Sequence, residues 1–319
     1  LYCFGIPFIW RKAVKDPIRS LEELANYVRS TGKRTRIAVA RAEDPNTIAS
    51  IGKAVNEGFV EGILVGSKPK IEELCKAEQI NPAIFRVIDT RDEEEAVTES
   101  VRMVRDDEAD VLMKGLVGTD KFLKAVLDKE KGLLPEKAIM SYVCALQLPG
   151  YHKLLFISDT AVIPYPDINQ KIAMINYSVV MARRFGIEKP KVALISATEK
   201  VSDNIPHTLE YAELCKMAER GQIKNCVLDG PLDIFLACDP QASIIKGVST
   251  PLAGDADVLI FPSLESANSF YKGLMMFAKG ELAGLIQGTI KPVIVMSRSE
   301  SAASKFYCIA LSCLMGGEI

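Results

Sequence analysis

Apolar and polar positions alternate along this chain with two different periods. Short, nearly all-apolar runs recur at 36–40, 60–66, 85–89 and 110–115. Between them lie longer stretches, 20–30, 46–56, 68–77, 93–105 and 119–128, whose apolar residues fall three or four apart. The short runs predict strands and the spaced stretches predict helices. Strands that alternate with helices of this length predict βαβ units on a parallel sheet. Strands covered on both faces need apolar residues throughout, as these have.

The alternation breaks around 132–137. Two strand candidates follow, 138–144 and 153–157, and after the turn Pro164-Tyr-Pro comes a long helix over 167–185. Ile168, Ile172, Ile175, Val179 and Ala182 keep helical spacing, and Gly186 is placed to end the helix. Runs at 192–196, 226–230 and 258–262 predict three more buried strands. Residues 292–296 read as a short strand that runs at once into a helix N-terminus. No internal repeat or low-complexity tract is present. The fold class predicted is α/β, and the length of 319 residues suggests two domains.

Composition narrows the function. With 48% hydrophobic and 25% charged residues the chain can build a full core. Its 39 basic and 41 acidic residues leave a net charge of −2, which gives no basic field and argues against nucleic acid. Eight cysteines are scattered without a C-x-x-C pair, as reduced core residues of a cytoplasmic protein would be. Two histidines exclude a His-rich metal site. The apolar opening, residues 1–10, is about half the length of a membrane span, and its positive charges follow it, which does not suit a secretory signal.

The chemistry-bearing residues share one address. Lys114-Gly115, Asp159, Ser196-Ala197-Thr198, Asp229-Gly230-Pro231, Pro262-Ser263 and Ser297-Arg298 each stand just past a predicted strand's carboxyl end. Open α/β sheets bind ligands there. At Ser297-Arg298-Ser299, backbone N–H groups, two hydroxyls and a guanidinium would converge, which suits an anion. The plainer reading is a cap: Ser297-x-x-Glu300 fits a capping box, and Ser299 could cap the helix alone.

Five ordered blocks now carry a resemblance. They are Met113-Lys-Gly-Leu-Val-Gly-Thr-Asp, Ile157-Ser-Asp-Thr-Ala-Val-Ile-Pro-Tyr-Pro-Asp, Leu228-Asp-Gly-Pro-Leu, Val258-Leu-Ile-Phe-Pro-Ser-Leu-Glu-Ser-Ala-Asn, and Leu285-Ile-Gln-Gly leading to Ser297-Arg298. The chain resembles the phosphate acetyltransferase and phosphate butyryltransferase family, closer to the butyryl branch. The resemblance implies two α/β/α domains with largely parallel sheets, like isocitrate and isopropylmalate dehydrogenases, with a cleft between them. It implies a discontinuous first domain, 1–137 plus 289–319, and an inserted second domain, 138–288, through which a homodimer forms. It also implies direct transfer of a short acyl group between CoA and inorganic phosphate, with CoA as substrate or product and no metal, redox cofactor, nucleic acid or membrane partner.

Site residues follow from the same resemblance. Arg298 would hold the phosphate with its planar fork of donors. Ser297 would donate to the developing oxyanion or thiolate. Arg91, Lys114, Gly115, Thr119 and Lys124 would face substrate, as would Asn268, Gln287 and Gly288. Solvated loops, caps and turns are the plainer readings of these residues. Acetyl-transferring relatives carry an aspartate seven residues past the serine, where this chain has Ser304. Glu300, one helical turn earlier, is the substitute base, and a thiol near 8.5 needs little help. Ser304 also leaves open a catalytically weak acyl-CoA-binding relative, and acetyl rather than butyryl specificity stays open too. An oxidoreductase of the similar dehydrogenase folds is disfavoured, because no G-x-G-x-x-G follows a strand.

Overall fold

A computed structural model of the protein describes residues 14, 16–296 and 300–316. The apolar residues 1–10 and the Ser297-Arg298-Ser299 turn lie outside the described residues. In chain order the elements are α1 (Leu21–Ser30), β1 (Thr35–Ala40), α2 (Pro45–Asn56), β2 (Val60–Gly66), α3 (Lys68–Ala77), β3 (Arg86–Asp89), α4 (Glu93–Arg105), β4 (Val111–Lys114) and α5 (Thr119–Val126). Then come β5 (Ser141–Gln147), β6 (Leu155–Ser158), α6 (Ile168–Arg184), β7 (Lys191–Ile195), α7 (His207–Glu219), β8 (Val227–Leu232), α8 (Ile234–Cys238), α9 (Pro240–Lys246), β9 (Val258–Ile260) and α10 (Leu264–Phe277). The chain closes with β10 (Glu281–Gln287), β11 (Val293–Ile294) and α11 (Ala302–Gly316).

The residues group into two compact units. One holds Leu21–Met140 and the chain from Leu282 onward; the other holds Ser141–Glu281 with the stretch leading to Ser20. In the first unit the strand order is β3-β2-β1-β4-β11-β10, parallel except for β10. Helices α2, α3 and α11 pack together with α1, while α4 packs with α5. In the second unit the order is β5-β6-β9-β7-β8, parallel except for β5. Each unit is therefore a largely parallel sheet clothed in helices, as the alternating pattern predicts.

Local chemistry sets the helix starts. Asp44 caps α2 by accepting the Thr47 N–H at 2.8 Å, and Asp92 caps α4 by accepting the Glu95 N–H at 2.9 Å. Asp167 and Gln170 form a full capping box on α6. Past the end of α6, Gly186 takes φ +89°, and an added Cβ would lie 2.9 Å from the Pro17 backbone. Helix α11 is buried nearly all round, and Phe306 meets Phe59 edge-on at 5.9 Å. Each large apolar side chain so buried contributes about 1.5–3 kcal/mol.

Three expectations move. The strand expected at 138–144 begins at Ser141, because Lys137 sits at φ +65° and the Ala138 N–H bonds Pro135, which prolongs the turn. The strand expected at 292–296 shortens to two residues. Pro292 has no N–H to give, so only its carbonyl joins the ladder, accepting from Leu112. The strand β10 is not predicted by the apolar pattern, since Glu281 and Gly284 interrupt its run.

Candidate active site

Parallel strands deliver their carboxyl ends to one edge of a sheet. In the first unit β11 lies beside β4, with Val293 level with Leu112 and Ile294 level with Met113, and β4 lies beside β1. The chain leaving β4 at Lys114, the loop leaving β1 at Arg41 and the chain leaving β11 at Val295 therefore start side by side. Neighbouring strands are about 4.8 Å apart.

The first two of these loops are locked by backbone contacts. The Gly115 N–H donates to the Ala40 carbonyl at 2.9 Å, and the Leu116 N–H to the Arg41 carbonyl at 2.6 Å. A Cβ on Gly115 would stand 2.2 Å from that Arg41 oxygen, so only glycine allows the approach. Lys114 is buried, and its ammonium donates to the Val117 carbonyl at 3.0 Å and the Gly115 carbonyl at 3.4 Å. It is thus a clasp on its own loop.

Arg41, which the sequence reading did not single out, takes the left-handed conformation with φ +56°. Its guanidinium lies 3.8 Å from Glu43 and 3.6 Å from Glu93, and its buried Nε has no hydrogen-bond partner. Glu93 also reaches Lys121 and the Gly118 N–H, which ties the start of α4 to the start of α5. Thr119 and Lys124 are both exposed on α5. Arg91 lies past the end of β3, exposed, where it turns back onto Glu95 at 3.0 Å. That ion pair raises its pKa further.

Past β11, Met296 is buried against the Cys308 thiol of α11. The expected candidates Ser297 and Arg298 lie outside the described residues, as does the Ser299 cap. Glu300 is half-buried. The observed cap of α11 is Ser301, whose hydroxyl accepts the Ser304 N–H at 3.0 Å. Ser304, where the resemblance leads one to expect an aspartate, is fully buried.

Two of the expected substrate contacts are not gathered with the others. Because β10 runs antiparallel, with Ile286 level with Val293, Gln287 and Gly288 lie at the amino end of β11. Lys114 is at the carboxyl end, roughly 10 Å away along the strands. The nearby pair Lys291–Asp107 at 2.8 Å belongs to that same amino edge. Asn268 is in the second unit, where its amide donates to the Thr160 carbonyl at 2.8 Å.

Asn268 braces a turn centred on Asp159. That carboxylate accepts from the Ser141 hydroxyl at 2.8 Å and from the N–H groups of Tyr142, Ala161 and Val162 at 2.9, 2.8 and 2.8 Å. Burial raises its pKa, and these four bonds, which favour the charged form, oppose the rise. On the same edge of this unit Ser196 meets His207 Nε2 at 2.9 Å. Burial, then the charge of Lys171, hold His207 below the ordinary imidazole value, while Glu210 pulls the other way.

Lys305 also escaped the sequence reading. It donates to the Asp44 carboxylate at 2.5 Å and is only 4% exposed. The available signal was a lone charge in an otherwise apolar helix, which needs a buried partner. Arg41 carried a weaker signal, an arginine directly after the apolar run of β1. Among the described residues no group of three or more His, Cys, Asp or Glu side chains is placed to hold a metal ion. No helix among them is long and apolar enough to cross a membrane.

Comparison with known proteins gives a consistent result. Residues 94–313 match the family described as phosphate acetyl/butaryl transferase. The chain is 39% identical over 297 residues to a phosphate butyryltransferase of Clostridium beijerinckii, covering 93% of this chain and 98% of that one. It is 39% identical over 295 residues to a phosphate acetyltransferase of Thermotoga maritima, covering 92% and 98%. Its fold superposes with a TM-score of 0.78 on a branched-chain phosphotransacylase from Enterococcus faecalis at 26% identity, covering 89% of this chain and all of that one.

Proposed function

This chain belongs to the phosphate acetyl/butyryl transferase family, and we propose that it moves a short acyl group between CoA and inorganic phosphate. The observation that carries the reading is the neighbour relation of β4 and β11. It starts the Lys114–Gly115 loop and the segment bearing Ser297 and Arg298 from adjacent strand ends, within a chain matched over most of its length to acyltransferases.

In the forward direction a phosphate oxygen attacks the thioester carbonyl. The tetrahedral adduct collapses by breaking the C–S bond, so the acyl group leaves on phosphate and the sulfur departs as thiolate, which takes up a proton. Arg298 holds the phosphate dianion through its fork of donors. Ser297 donates to the oxyanion or to the departing sulfur, whichever carries the developing charge. Glu300 is the nearest acidic group in sequence for the thiol proton. Arg91, Thr119 and Lys124 supply exposed positive charge and a hydroxyl on the same edge for the anionic parts of CoA. Lys114 and Gly115 shape the loop between them. The proton demand is small, because a thiolate with a pKa near 8.5 is a good leaving group at neutral pH.

In the same reading, the unit of Leu21–Met140 and the chain from Leu282 onward is the one that carries the catalytic residues, and the unit of Ser141–Glu281 is the one through which two copies pair. Exposed apolar side chains of the second unit support the pairing: Phe235, Ile244, Ile245, Met276 and Phe277, of which Phe277 is 83% exposed. The protein acts in the cytoplasm, where free thiols persist. Burial raises the thiols of Cys215, Cys226 and Cys238 to about 12, 11 and 11. Such thiols are poor nucleophiles and suit core packing.

The test is stoichiometric. Butyryl-CoA with phosphate should release free thiol, and hydroxylamine should trap an equal amount of acyl phosphate as hydroxamate. Thiol release independent of phosphate, or none from acetyl-, butyryl- or isobutyryl-CoA, would overturn the reading.

A further inference from the structure

Three arginines of the first unit commit their donors to a carboxylate. Arg36 donates to Asp110 at 2.6 and 3.0 Å, Arg91 to Glu95 at 3.0 Å, and Arg102 to Glu99 at 2.7 and 2.9 Å. Arg41 does not. It follows β1 directly, and its side chain is 27% exposed. Among the described residues its guanidinium makes no hydrogen bond, and the buried Nε has no partner.

Two carboxylates stand near Arg41 without closing on it. Glu43 lies 3.8 Å from Nε, and Glu93 lies 3.6 Å from Nη1. Each is engaged elsewhere. Glu43 is 8% exposed and accepts the Ser67 N–H at 3.1 Å, which holds it to the start of α3. Glu93 accepts the Gly118 N–H at 3.4 Å and lies 3.5 Å from the Lys121 ammonium. The carboxylates thus steady the guanidinium by charge and leave its N–H groups unused. Arg41 and Lys121 together balance Glu43 and Glu93, so both carboxylates are offset before any ligand arrives.

The backbone fixes the same point. A residue with a side chain keeps a conformation such as φ +56° only where its surroundings require it. Here the Arg41 carbonyl is turned to accept the Leu116 N–H at 2.6 Å, and the Ala42 N–H donates to the Val65 carbonyl at 3.1 Å. Arg41 is thereby held between the carboxyl ends of β2 and β4, beside the loop of Lys114 and Gly115. That edge is where open α/β sheets take ligands.

A planar fork of donors, held in place and left unfilled, matches an oxyanion. Both substrates of the proposed reaction carry one: inorganic phosphate itself, and the phosphate groups of CoA. We propose that Arg41 is a substrate-binding residue whose guanidinium takes a phosphate group of one of these two substrates. The identity of the ligand rests on the proposed acyl transfer. The oxyanion chemistry rests on the geometry of Arg41.

The test uses the full-length protein and its Arg41→Gln and Arg41→Lys variants. Calorimetric titration gives Kd for inorganic phosphate and for CoA, thiol release gives the steady-state constants, and thermal melting reports folding. Arg41→Gln should raise Kd and KM about tenfold or more for the ligand whose phosphate it holds. The change in kcat should be smaller, and the melting midpoint should stay within a few degrees. Butyryl-CoA and butyryl-pantetheine, which lacks the phosphate groups, tell the two sources apart. If Arg41 holds inorganic phosphate, KM for phosphate rises with either thioester. If it holds CoA, KM for butyryl-CoA rises, and variant and parent turn over butyryl-pantetheine equally.

Arg41→Lys keeps the charge between Glu43 and Glu93 but loses the fork, and should weaken the same ligand about three- to tenfold. That variant decides the matter alone should Arg41→Gln fail to fold. Parental Kd and KM values for both ligands in a folded variant would overturn the proposal. So would a loss confined to kcat that follows the melting midpoint, because an ion pair serving stability alone acts that way. A parent that binds neither ligand would overturn it as well. A parent inactive with every acyl-CoA would instead contradict the proposed function, and the titrations would still decide for or against Arg41.

Discussion

The two ends of the first unit's sheet use the same residue types to different effect. At the amino end Arg36 grips Asp110 through two bonds of 3.0 and 2.6 Å, Lys291 pairs with Asp107, and Arg102 gathers Glu99, Asp106 and Glu108. All of these side chains are about a third exposed or more. At the carboxyl end Arg91 and Lys121 are solvated too, but two lysines there are sunk. Lys114 is spent on carbonyls of its own loop, and Lys305 is closed off against Asp44. Solvated pairs add little to stability and tolerate loose geometry. Buried ones cost desolvation and permit one arrangement. Fixed geometry is thus concentrated at the end of the sheet where the candidate site lies.

Removing one partner from each end should separate them most sharply. Lys305→Met leaves the Asp44 carboxylate buried without its counter-charge, which should cost about 3–5 kcal/mol in urea unfolding. Arg36→Ala breaks a partly solvated pair and should cost about 1 kcal/mol. Equal losses would erase the contrast.

Glycines sharpen it at intermediate size. Gly115→Ala puts a methyl 2.2 Å from the Arg41 carbonyl, and both sides of that clash are backbone. A loss of about 3 kcal/mol or more is expected, with a fall in activity. Gly62→Ala, at the other end, meets the Phe85 ring at 2.9 Å, and a side chain can turn aside. That variant should lose no more than about 1.5 kcal/mol. Melting temperatures of the two proteins decide the matter.

The smallest effect is in the response to acid. Burial alone would raise the Asp44 carboxyl, but the Lys305 and Thr47 bonds outweigh it and hold the pKa below the ordinary carboxylate value. Its folded pKa is below its unfolded one, so its stabilisation is complete above about pH 4 and is lost as pH falls through the folded value. Stability of the parent should therefore drop as the pH falls below about 4. Comparison of the parent with Asp44→Asn/Lys305→Met, where that contribution is missing, measures its size. Parallel curves would contradict the assignment.

The sequence discloses the sheet better than it discloses the site. Runs such as Val60–Gly66 and spaced stretches such as Lys68–Ala77 carry their period openly, so the order of strand and helix is legible. Strand direction is not written in the pattern. Gln287 and Gly288 belong to a block that matches the family, yet the antiparallel course of β10 takes them to the amino edge. Long-range pairing is also hidden, and nothing local tells Lys305 that its partner lies at Asp44. The clue is negative, a charge where the helix has no solvent-facing side for it.

The most direct measurement is steady-state CoA release by Ser297→Ala beside the parent, with butyryl-CoA and phosphate both varied. If that hydroxyl meets charge only as the thioester breaks, kcat should fall about 10²–10³-fold with smaller changes in both KM values. Parental turnover in the variant would contradict the account.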